Sequence, residues 1–148
     1  MKNYSHQQSL GHLTGLASRL FNRLLTIRFK QAGIDMTAEQ WGVILILRNS
    51  EPMTQSQISE LLYLEKSSVS RSIDGLEKRG WVERQSSTHD SRSKIVMLTE
   101  KSLGVAAECE EIAASVLQDA QQDIDDQELQ TSKQHLSKVI TSLRQLNR

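Results

Sequence analysis

The chain has 148 residues, 18 basic and 18 acidic, with 37% hydrophobic and 24% charged, which is enough for one cored domain or one domain plus an extension and is ordinary for a soluble, helix-rich protein. Its single cysteine, Cys109, excludes an intrachain disulfide and fits a reducing cytoplasm. The longest strongly apolar run, Val43–Leu47, is far too short to cross a bilayer, and the opening MKNYSHQQ has no apolar stretch of the kind a secretory signal needs, so no membrane partner is expected.

Leu10, Leu13, Ala17, Leu20, Leu24 and Ile27 recur at spacings of three and four, which predicts a long amphipathic helix over 7–31, with Gly33 as its stop. Thr37 followed by Gln40 is a capping-box pattern and opens a helix over 37–48, with Met36 and Trp41 spaced as a hydrophobic staple. Thr54 and Gln57 repeat the box for a short helix over 54–62, with Met53 and Ile58 as the staple. A fourth helix spans 66–79, KSSVSRSIDGLEKR, and Gly80 ends it. The segments WVERQ and KIVMLT are short and rich in strand formers, and the polar SSTHDSRS between them predicts a β-hairpin with a long tip. Thr99 starts a helix over 99–119, with Leu98 and Leu103 as a staple pair. Asp125 and Glu128 cap the last helix, over 125–146, with Ile124 and Leu129 as its staple.

Charge is unevenly spread along these elements. Residues 66–101 hold eight Lys/Arg against five Asp/Glu, whereas 102–148 hold four against eight. A basic middle and an acidic tail suggest that the middle meets an anion; chance variation among solvated faces is the competing reading.

The fourth helix alone reads as an ordinary solvent face, and only with the hairpin that follows it does the first reading gain. Val69, Ile73 and Leu76 form its inward stripe, and Ser67, Ser70, Arg71 and Asp74 fall on the other side. Two short helices joined by a tight turn, the second with a small polar face, fit a helix-turn-helix. Serines let a helix backbone approach the major groove, and an arginine there can grip a guanine edge or a phosphate. The β-hairpin that follows at once gives the order of a winged helix-turn-helix.

At this point the chain resembles a known family. KSSVSRSIDGLEKRGWVERQ is similar to the recognition helix and first wing strand of the MarR family of transcriptional regulators, and HDSRSKIVMLTEK is similar to its wing and the start of its next helix. The resemblance implies a mainly α fold: a winged helix-turn-helix DNA-binding domain over 37–101 with a two-stranded β wing, and long N- and C-terminal dimerisation helices over 1–36 and 102–148. It implies a homodimeric repressor, not an enzyme, that reads a pseudo-palindromic operator in double-stranded DNA with helix 66–79 and the wing 81–98, modulated by a small aromatic or anionic effector. The DNA-binding residues carried over are Lys66, Ser67, Ser68, Ser70, Arg71, Arg84, Asp90, Arg92 and Lys94, with Arg92 entering the minor groove beside Asp90. Phe21, Leu25, Trp41 and Leu45 are candidates to line the effector cleft, or simply to be core. Three departures from the family pattern stand out: Gly75 where a basic residue is common, Gln85 where a second arginine is common, and Tyr63 at a turn position often taken by glycine. The first two suggest modest DNA affinity, and the third a strained turn or a helix that runs on. A winged-helix module that binds protein through the same surface is the alternative.

Other chemistry is weakly signalled. The four histidines have no ligand spacing, so neither a metal nor another cofactor is expected. Asp123, Asp125 and Asp126 lack the glycine and terminal glutamate of a calcium loop and read as helix capping. Cys109 has Glu108, Glu110 and Glu111 for neighbours, which raise its pKa and leave it inert. Trp41 and Trp81 follow helix-boundary signals and are expected in the core.

Overall fold

A computed structural model describes residues 5–86 and 93–148. Its long elements are helices α1 (Leu10–Gln31), α2 (Ala38–Arg48), α3 (Gln55–Leu62), α4 (Lys66–Lys78), α5 (Glu100–Ala120) and α6 (Asp126–Leu146), with strands β1 (Met53–Thr54), β2 (Val82–Ser86) and β3 (Lys94–Leu98). The fold is the mainly helical winged-helix class expected. The chain divides into two compact units, Met1–Ala113 and Ala114–Arg148.

Local chemistry sets the helix starts. Both capping boxes form completely: Thr37 Oγ1 accepts from Gln40 N at 3.1 Å while Gln40 Oε1 accepts from Thr37 N at 3.0 Å, and Thr54 and Gln57 do the same. Asp125 accepts from Glu128 N at 2.8 Å, and that bond holds its carboxyl below the usual range. Helix α1 starts at Leu10, the first residue of its apolar pattern, and not at residue 7 as expected, because Ser9 Oγ accepts from His12 N at 3.2 Å and caps it, while His6–Gln8 form a separate 3-10 turn. The rings of His6 and His12 lie 4.7 Å apart across that turn.

Three helix ends share one device. The amide that follows a left-handed residue just past the helix bonds back across its last turn: Ile34 N to Phe29 O (2.8 Å), Trp81 N to Leu76 O (2.8 Å) and Leu64 N to Ser59 O (3.2 Å). Each needs a left-handed residue, supplied by Gly33, Gly80 and Tyr63. At φ 53° Tyr63 pays a steric cost that glycine avoids, so the turn between α3 and α4 is a strained one and the helix does not run on. Ser59 Oγ donates to Leu64 O at 2.6 Å and holds the turn closed.

The core of the first unit gathers Phe29 of α1, Trp41, Ile44 and Leu47 of α2, Ile58 of α3, Val69, Ile73 and Leu76 of α4, then Trp81, Val82, Val96 and Cys109. Phe29 meets Trp41 edge to face at 6.1 Å. The wing differs from the expected two-stranded hairpin. Its antiparallel sheet has the order β1-β3-β2, with Met53 opposite Val96 and Thr54 opposite Ile95. Met53 is thus a strand residue packed against the core, and β1 ties the start of α3 to the wing. The β2–β3 register runs from Val82 opposite Leu98 to Ser86 opposite Lys94. Asp90 and Arg92, placed at the wing tip by the sequence, lie outside the described residues.

In the second unit α6 has no buried residue, and Leu136, Ile140, Leu143 and Leu146 stand exposed along it. In the first unit Leu10, Leu13, Leu20 and Ile27 are exposed along α1. Among the described residues no helix is long and apolar enough to cross a membrane.

Candidate nucleic-acid interface

Helix α4 has two unlike faces. Val69, Ile73 and Leu76 are buried to within 1% of completely. Lys66, Ser67 and Arg71 are exposed, and Ser68 and Ser70 are half-buried at the margin. Glu65 precedes the helix in extended conformation without a side-chain cap, so the first-turn amides are left without that partner. Arg71 reaches back only as far as Ser68, with Nη2 3.4 Å from Ser68 Oγ. The sequence-predicted residues of this helix therefore share one stretch of surface, with short hydroxyls between two long cations, Lys66 and Arg71.

Arg84 is placed differently. Only 18% of its side chain is exposed, and its Nη2 donates to Asp74 Oδ1 and, at 3.3 Å, to Ser70 O. Its guanidinium is turned onto α4 and braces the first wing strand against that helix. Lys94 is exposed at the start of β3, with Nζ 3.3 Å from Ser86 Oγ across the hairpin. The corner between α4 and the wing is fixed by Thr99, whose Oγ1 donates to Gly80 O at 2.6 Å. Trp81 is buried there, with Lys101 Nζ 4.5 Å above its ring. Both tryptophans are core anchors.

The opposite flank of α4 is clamped by groups that sequence reasoning missed. Gln40 is buried, donates to Ser72 O (3.4 Å) and accepts from Arg79 Nη1 (3.4 Å). Ser72 Oγ donates to Glu39 (2.8 Å), and Arg79 Nε to Asp35 (2.8 Å). Gly75 is explained by this clamp: a Cβ there would lie 2.7 Å from Gln40 Nε2. The missing basic residue is thus room for a buried amide. The only sequence signal was Gln40 itself, read as a cap and nothing more.

Of the candidate effector residues, Trp41 is in the core and Leu25 and Leu45 pack against it, while Phe21 is half-buried. None of the four lines the open groove of about 710 Å³ between α1, α2 and α4, whose walls include Arg23, Thr26, Thr37, Glu39, Arg71 and Ser72. Cys109 is fully buried, and its pKa is pushed up to about 11, first by burial and then by Glu108. Burial outranks the acidic neighbours that the sequence pointed to.

Comparison with known proteins agrees with this geometry. The MarR family profile matches residues 34–93. The multiple antibiotic resistance protein MarR of Escherichia coli is 31% identical over 115 residues, 78% of this chain and 76% of that protein. The uncharacterized HTH-type transcriptional regulator YwoH of Bacillus subtilis is 42% identical over 64 residues, so the matched part spans only 46% of that protein's length. A crystal structure of a mutant MarR from Escherichia coli complexed with operator DNA has the same fold, with a TM-score of 0.80 at 24% identity, covering 93% of this chain and 99% of that one.

Proposed function

Since the chain belongs to the MarR family of transcriptional regulators, we propose that it is a homodimeric repressor reading a pseudo-palindromic operator in double-stranded DNA with helix 66–79 and the wing 81–98. The observation that carries this reading is the division of α4, whose buried Val69, Ile73 and Leu76 back an exposed face of Lys66, Ser67 and Arg71. A helix held by its apolar side beside the β2–β3 arm of the three-stranded sheet presents its polar side as a probe for the major groove. The relative from Escherichia coli that was crystallised with operator DNA supports DNA as the partner.

The roles follow from reach and chemistry. Ser67, Ser68 and Ser70 keep the approach close and bond phosphates or base edges. Arg71 contacts a base or a positioning phosphate, and Lys66 and Lys94 meet phosphates. Arg84 keeps the wing registered against the helix. The family resemblance assigns Arg92, with Asp90, to the minor groove. Residues 37–101 form the reader, and 1–36 with 102–148 the dimerisation region, where the exposed leucines of α1 and α6 are covered by a second copy. A small aromatic or anionic effector is accommodated by the groove that Arg23 and Arg71 line. No catalytic role is assigned to the chain.

The test is selection of duplexes from a random pool by the purified protein, followed by titration over a range of salt. Enrichment of a two-part site, with affinity falling steeply as salt rises, supports the reading through counterion release. No duplex binding, with a protein partner recovered on the same surface, favours an interaction module instead.

A further inference from the structure

We propose that Gln40 is a positioning residue for DNA recognition: its carboxamide, seated over Gly75, sets the pose of α4 without touching DNA. The inference rests on the reading that α4 meets the duplex. Gln40 belongs to α2, and the residue is 6% exposed. One end of the amide closes the capping box, because Oε1 accepts from Thr37 N at 3.0 Å. The same oxygen accepts from Arg79 at 3.4 Å, and Nε2 donates to the main-chain carbonyl of Ser72 at 3.4 Å. One buried head group thereby joins the start of α2 to both the middle and the end of the recognition helix.

Two further bonds flank it, Glu39 with Ser72 (2.8 Å) and Asp35 with Arg79 (2.8 Å). Ala38 N donates to Thr26 Oγ1 at 3.0 Å and fastens the start of α2 to α1. Position therefore passes from α1 through the first turn of α2 to the flank of α4 opposite the wing. The seat has no spare room. A methyl at position 75 would come within 2.7 Å of Nε2 and 3.2 Å of Arg79 Nη1. A free amide would swing aside at little cost, but this one would have to break its bonds or push α4 away. Glycine inside a helix lowers its stability, so an otherwise unfavourable residue stands where the clamp needs space.

The test is a double-mutant cycle with Gln40→Ala and Gly75→Ala, measured on a duplex selected by the wild type and on a scrambled duplex. Each single variant is expected to lower the ratio of selected to scrambled affinity by roughly tenfold, with the salt slope unchanged because no phosphate contact is lost. In the Gln40→Ala background, Gly75→Ala is expected to cost nothing more, since the methyl has nothing left to meet. Should Gln40→Ala unfold, Gln40→Met keeps the volume and removes the bonds, and the same fall in ratio is expected. Loss of stability alone would lower the active fraction and leave the ratio intact, and that result overturns the proposal. So do additive effects of the two substitutions, or unchanged ratios. A wild type that binds no duplex instead sinks the DNA-reading assignment, and is seen before any variant is made.

Discussion

The exposed stripe on α1 gives the sharpest quantitative expectation. Leu10, Leu13, Leu20 and Ile27 expose 49%, 47%, 57% and 42% of their surface in the isolated chain. With Ala17 and Leu24 they alternate at spacings of three and four, the period of a helix seam. Covering about half of each side chain contributes roughly 1 kcal/mol, so four on each of two copies give a gross gain of about 8 kcal/mol. The leucines and isoleucine of α6 add a comparable amount, about 16 kcal/mol in all, and a dimer stable at micromolar concentration needs about 8 kcal/mol net, so the expectation requires an association cost of about 8 kcal/mol or less, within the usual range of about 4–15. Leu20→Glu keeps helix propensity and removes this burial twice, once per copy. With the penalty for a desolvated carboxylate the loss is roughly 4–6 kcal/mol per dimer, or about 10³–10⁴-fold in the dissociation constant. Sedimentation equilibrium should find wild type dimeric and Leu20→Glu monomeric at about 10 μM, with helicity retained in both. A monomeric wild type, or a variant that dimerises as tightly as wild type, would refute the assignment of this stripe.

Two other expectations concern the folded chain. Cys109 has its pKa raised from 9.0 to about 11, so the folded protein holds its proton more tightly than the unfolded one; stability should be intact below pH 9 and fall between 9 and 11, and Cys109→Ala should flatten that slope in urea titrations at stepped pH. Tyr63→Gly relieves the left-handed strain at φ 53°, and after glycine's own entropy cost should raise stability by about 0.5–1 kcal/mol in thermal melts; a lower melting point would mean that the tyrosine ring contributes more than its backbone costs.

What the sequence disclosed was what short-range chemistry encodes. The boxes at Thr37–Gln40 and Thr54–Gln57 and the cap at Asp125 are decided within four residues, and all three form. The stripe Val69–Ile73–Leu76 is a period within one helix, so the buried face of α4 was legible too. What escaped were pairings across the chain. Strand β1 is two residues long and exists only because Val96 and Ile95, more than forty residues on, complete its ladder. Arg84 read as a cation on a wing strand, and nothing near it in sequence announces Asp74 and Ser70 as its partners. Gly75 looked like a lost charge because the amide that needs its space is on another helix.

The central claim, that α4 and the wing read DNA, is tested most directly by titrating wild type, Arg71→Ala and Arg92→Ala on a selected and a scrambled duplex at several salt concentrations. Arg92→Ala should weaken binding and soften preference at the outer, A·T-rich edge of each half-site. If Arg71 grips a base, its loss costs roughly 1–3 kcal/mol on the selected duplex and relaxes one position; if it grips a phosphate, every duplex weakens alike and the salt slope falls by about 1. Both variants binding every duplex as wild type does would contradict the account.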